Sequence, residues 1–145
     1  MAQQAPAPKV AASLERIFGP GQHHDSVVVD SAVVFRVARA DTVLGYAQVR
    51  NVKGKDQPIT FLVAVDTADQ LKDVDILVYR EPYGGEVAYD SWRRQFRGKR
   101  VSDSLRAGRE IRTISGATIS SNAVTSAVRK ALADLTAWHQ AGRLR

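Results

Sequence analysis

Small and hydroxyl-bearing residues crowd one stretch of the chain, Arg112-Thr113-Ile114-Ser115-Gly116-Ala117-Thr118-Ile119-Ser120-Ser121-Asn122, at the start of the longest helical pattern. Gly116 can take backbone angles closed to other residues and lets a ligand approach the main chain. Ser115, Thr118, Ser120 or Ser121 can cap the helix that follows. The first turn of a helix points free N–H groups and partial positive charge outward, which suits a phosphate. That dipole contributes only ~0.3–1 kcal/mol, up to ~2 in a partly buried geometry, so the turn alone does not hold a large ligand tightly. Arg109 and Arg112 stand just upstream and offer charge-assisted bonds. A plain N-cap accounts for the same residues, and at this point both readings stand.

Other clusters carry less. His23-His24-Asp25 has metal-ligating side chains, but adjacent histidines diverge and the chain has 3 in all, so a plain loop is expected there. Arg93-Arg94, Arg97, Lys99 and Arg100 form a basic group that suits nucleic acid, an acidic redox partner or anionic lipid. It comes with no recognised nucleic-acid motif, and no nucleic-acid partner is expected. Ser115 lies outside a Gly-x-Ser-x-Gly elbow, which argues against a hydrolase. The absence of cysteine excludes a disulfide framework, a thiolate metal site and a cysteine nucleophile. A net charge of +6 points to an anionic ligand, partner or surface.

The elements that must position these residues can be read along the chain. Its 145 residues suit one domain, expected over 11–145 behind a disordered lead-in at 1–10. That lead-in, polar and rich in Ala and Pro, resembles the start of an exported chain after signal cleavage, so a periplasmic or extracytoplasmic location is expected. A short helix spans 11–18, with Leu14, Ile17 and Phe18 on one face and Gly19-Pro20 as its stop. Strands are expected at 26–30, 33–38, 43–49, 59–66 and 74–79. The fourth is apolar nearly throughout, hence central and buried on both faces, and the fifth follows too soon for a parallel crossover. Tyr89, Trp92, Arg93 and Phe96 fall at helical spacing, with Tyr89 and Trp92 read as core. Residues 102–110 match no pattern, and a long helix runs from Ile119 to about His139. The order predicts an α+β fold, an antiparallel sheet with helices packed on one face.

Ser115-Gly116-Ala117-Thr118, continued as Ile119-Ser120-Ser121-Asn122-Ala123-Val124, resembles the flavinylation motif of FMN-binding domains. These occur in subunits of sodium-pumping NADH:quinone reductases and Rnf-type complexes, and as small exported proteins. Arg80-Glu81-Pro82-Tyr83-Gly84-Gly85-Glu86 resembles the family's loop beside the flavin, and Phe96-Arg97-Gly98-Lys99 its Phe-x-Gly-Lys element. The likeness runs in order from about Leu44 to Leu135. It implies FMN joined by a phosphoester to the Thr118 hydroxyl by a separate flavin transferase acting on FAD, or noncovalent FMN in a chain made without that transferase.

The resemblance further implies that Ser115, Gly116 and Ala117 shape the phosphate turn with Ser120 and Ser121. Tyr83 would stack on the isoalloxazine, Gly84 and Gly85 would bring N–H groups to its edge, and Glu81 would accept from a ring N–H or pair with Arg80. Where the family motif begins with aspartate, six positions before the threonine, this chain has Arg112, which could pair with the attached phosphate. The expected role is an electron-transfer flavoprotein domain rather than a stand-alone enzyme, serving membrane-bound redox partners. A basic binding module without a cofactor is the competing expectation, separable by flavin uptake against salt-dependent binding to DNA.

Overall fold

The computed structural model describes residues 6–145. Five strands form one antiparallel sheet in sequence order: β1 (His23–Val29), β2 (Ala32–Arg39), β3 (Thr42–Lys53), β4 (Pro58–Asp66) and β5 (Leu71–Val78). Asp30 and Ser31 join β1 to β2 with φ of 50° and 68°, the pair of positive angles whose twist suits a two-residue hairpin. His23-His24-Asp25 therefore lie in a strand, not in the expected loop, and Asp25 pairs with Arg36 across from it at 2.5 Å.

As expected, β4 is an interior strand, between β3 and β5, buried on both faces. Ile59, Phe61, Val63 and Val65 point to one core, Leu62 and Ala64 to another. Over the first face lies the long helix, here α3 (Thr118–Gln140), which buries Val124, Val128, Ala131, Leu132 and Leu135. Over the second lies α1 (Ala7–Phe18), which packs Val10, Leu14 and Phe18 on Val37, Ala47, Leu62 and Ala64. The α+β class and the antiparallel sheet are thus as expected. The helical cover reaches further, onto the second face, because that face is apolar too.

Helix α1 starts at Ala7 and takes in the last residues of the expected lead-in. Pro8 sits in its first turn, where a missing N–H removes no helical bond. The first five residues of that lead-in lie outside the described residues.

After β5 the expected helix around 89–96 is broken into a 3-10 turn (Gly85–Ala88), one α turn, α2 (Asp90–Arg93), and a second 3-10 turn (Arg94–Phe96). Trp92 and Phe96 stack edge to face in the core at 5.3 Å. Tyr89, read as core from its spacing, is 61% exposed, because a single turn does not carry helical periodicity back to it. The next residues dock on β5: Gly98 N–H donates to Leu71 O at 2.7 Å and Leu71 N–H to Lys99 O at 2.8 Å. The unassigned stretch is a loop anchored by the buried Leu105, whose carbonyl accepts from Arg129 at 2.9 Å.

Candidate functional site

Because the sheet is antiparallel, the β3–β4 hairpin and the segment after β5 emerge at the same end. The first turn of α3 reaches that end as well. Between the three segments opens a cavity of about 380 Å³, lined by Lys55, Asp56, Glu81, Pro82, Tyr83, Gly84, Gly116, Ala117, Thr118, Ile119 and Ser120.

The wall at α3 begins with Gly116 in the left-handed region, φ 79°. Ala117 is the N-cap and provides no side-chain cap bond, so the expected cap by a serine or threonine is not made. The first α3 backbone bond runs from Ser121 N–H to Ala117 O, and Ala117 N–H donates to Ile114 O at 2.8 Å, which leaves the N–H groups of Thr118, Ile119 and Ser120 to face a ligand. Upstream, Arg112 is held on both sides: its carbonyl accepts from the Trp92 indole at 2.6 Å and its N–H donates to Gln95 at 2.8 Å.

Three ties fix the walls to one another. Glu81 Oε1 accepts from the backbone N–H groups of Asp56 and Gln57, each at 2.6 Å, and so clamps the post-β5 loop to the hairpin. Those N–H groups, Asp56 first, hold the Glu81 carboxyl below its ordinary value. Arg80 does not pair with Glu81; it donates to Pro58 O at 2.7 Å and Thr60 Oγ1 at 3.1 Å. Second, the Tyr79 hydroxyl bonds to Tyr83 O and lies 2.7 Å from Ser120 Oγ, joining the same loop to α3. Third, buried Ser121 donates to Ala117 O at 2.8 Å and accepts from Ile114 N–H at 3.1 Å, bracing the turn from behind.

The structure gathers Glu81, Tyr83, Gly84, Gly116, Ala117, Thr118 and Ser120 around the cavity. Ser115, Gly85 and Ser121 lie outside its lining. Thr118 is exposed, and Tyr83 is 81% exposed at the rim. Arg112 lines a separate cavity of about 330 Å³ with Tyr89, Trp92 and Arg94, so it does not share the space beside Thr118, and Arg109 lines neither. Of the basic group, Arg93 and Arg97 are engaged with Asp73 at 3.3 and 3.2 Å. Sequence reasoning passed over Lys55, Asp56, Pro82, Ile119 and Tyr79. For Lys55 and Asp56 the signal was present: a meander of three antiparallel strands brings every second turn to one end.

The profile of a family described as the FMN-binding domain matches residues 54–133, more than half of the chain, from the hairpin lysine's neighbour Gly54 to well inside α3. No curated protein matches the chain.

Proposed function

Since this chain belongs to the FMN-binding domain family, with FMN as its cofactor, we propose that it carries FMN on the Thr118 hydroxyl and passes electrons between redox partners outside the cytoplasm. The residues present fit such a group. The cavity lies at the small end of the ~300–1,000 Å³ usual for ligand sites, so it takes part of an FMN and leaves part at the surface. The uncapped first turn of α3 offers N–H donors for a phosphate. Bound FMN supplies the redox chemistry; the chain supplies attachment, orientation and shielding.

The observation that supports Thr118 most strongly concerns protons. A carbonyl only accepts, so the Tyr79 O–H must donate to Tyr83 O, and Ser120 must then donate to Tyr79. Ser121 already donates to Ala117 O. With both serine hydroxyl protons committed, Thr118 is the aliphatic hydroxyl on the cavity wall that is left to react among the described residues, the other being the rim phenol of Tyr83. In the attachment, Thr118 Oγ1 bonds to the flavin-side phosphorus of FAD, the pyrophosphate bond breaks, AMP departs and the hydroxyl proton is lost. A flavin transferase is the partner this step requires. A covalent tether keeps the flavin at high effective concentration beside its site whatever its affinity.

Coexpression with a flavin transferase should add the mass of one FMN phosphoester to the chain, and Thr118→Ala should abolish the gain. An equal gain in Thr118→Ala would place the attachment elsewhere. The electron-carrier role predicts that the loaded chain is reduced and reoxidised by membrane-bound partners; a chain that takes no FMN and binds DNA with steep salt dependence would instead be a basic binding module.

A further inference from the structure

The hydroxyl of Tyr79 does more than fill space at the end of β5. Its side chain leaves the sheet just before the loop at 81–84 and reaches that loop's far end, donating to the carbonyl of Tyr83, while its oxygen accepts from Ser120 on α3. Gly84 follows Tyr83 with φ 86°, and a Cβ built there would press on Tyr79 Oη and come within 2.9 Å of Ser120 Oγ. The glycine, the tyrosine and the serine therefore form one closed latch. The residue it holds by the backbone is Tyr83, whose ring stands at the cavity rim.

Gly84 O accepts from the N–H of buried Val87 at 3.3 Å as the 3-10 turn begins, and Glu81 ties the start of the loop to the hairpin, but the bond to Tyr83 itself comes from the Tyr79 side chain. We propose that Tyr79 is a positioning residue for the flavin, its hydroxyl setting where the Tyr83 ring and the backbone of residues 83–84 stand against the isoalloxazine. The proposal rests on the cofactor reading above but not on the site of attachment. Tyr79 touches no reacting atom in it; it acts through Tyr83.

The test compares wild type, Tyr79→Phe and Ser120→Ala in two preparations. Coexpressed with a flavin transferase, wild type and Tyr79→Phe gain one FMN by intact mass, because Thr118 and the cavity lining are untouched. Tyr79→Phe then loses most of the visible circular dichroism of the bound flavin, and its flavin fluorescence rises as the Tyr83 ring ceases to quench it. Ser120→Ala changes less, since the bond from Tyr79 to Tyr83 survives. Made without the transferase and titrated with free FMN, Tyr79→Phe binds roughly three- to tenfold more weakly, the worth of one hydrogen bond. Unchanged dichroism and fluorescence in loaded Tyr79→Phe, or unchanged FMN affinity, overturns the proposal. So does a folded Tyr79→Phe that gains no mass, which would make the latch a requirement for attachment instead. Wild type that binds FMN but gains no mass would sink the Thr118 assignment alone, leaving the titration to decide for Tyr79. Wild type that takes no FMN in either preparation would sink both.

Discussion

Two glycines in the site hold left-handed angles for different reasons, and substituting each separates those reasons. Gly116 has open space where a Cβ would stand, so Gly116→Ala meets only the conformational cost, about 1–2 kcal/mol. Gly84→Ala meets that cost and also pushes Tyr79 and Ser120 apart. The expected outcome is a larger loss of stability for Gly84→Ala by urea denaturation, with weakened FMN binding. Equal losses would show that the latch relaxes without consequence. The serines carry a related lesson. Ser121 belongs to the core stripe that continues through Val124, Thr125 and Val128, a spacing visible in the sequence, yet its hydroxyl suggested a ligand contact. A hydroxyl's type says it can donate; only the turn's rotation says to what.

Between elements, the clamp from Glu81 to the β3–β4 hairpin is sensitive to acid. Its folded-state value is lowered by the N–H groups of Asp56 and then Gln57, so the clamp is fully present above the ordinary carboxyl value of 4.5 and is lost as pH falls through the lower folded value. The site should therefore loosen in acid while the apolar cores persist. A fall in FMN affinity in wild type as the pH drops below the ordinary carboxyl range, absent in Glu81→Gln, checks this. Clamp and cavity were legible only in part beforehand. The meander was readable from valine-rich runs split by short polar turns, and α3 from its long apolar stripe. The segment over 85–96 was not, because one α turn between two 3-10 turns leaves too few residues for any period to register. Tyr79 escaped notice for another reason: as the last residue of a strand pattern it looked like packing, and its partner Ser120 is 41 positions away.

Besides the two apolar cores, one acidic side chain links the helical elements on both faces of the sheet. Asp73, 4% exposed, receives Arg16 from α1 on one side and Arg93 and Arg97 from the α2 region on the other, at 3.1, 3.3 and 3.2 Å. Removing it leaves the buried Arg93 charge with the carbonyls of Ala88 and Val74 and, at 3.9 Å, the exposed Asp90 carboxylate. Asp73→Ala should cost about 3–5 kcal/mol, read as a lower urea midpoint with an unchanged slope. A loss below about 1 kcal/mol would mean that the remaining partners of Arg93 suffice to hold its charge. The sheet is also uneven from side to side. Its β5 margin is capped by Gly98 and Lys99, whereas among the described residues β1 pairs with β2 alone. Amide protons along β1 should therefore exchange with solvent well before those of β4, so the fold frays from the margin remote from the cavity. Breathing of that kind begins without disturbing the walls around Thr118.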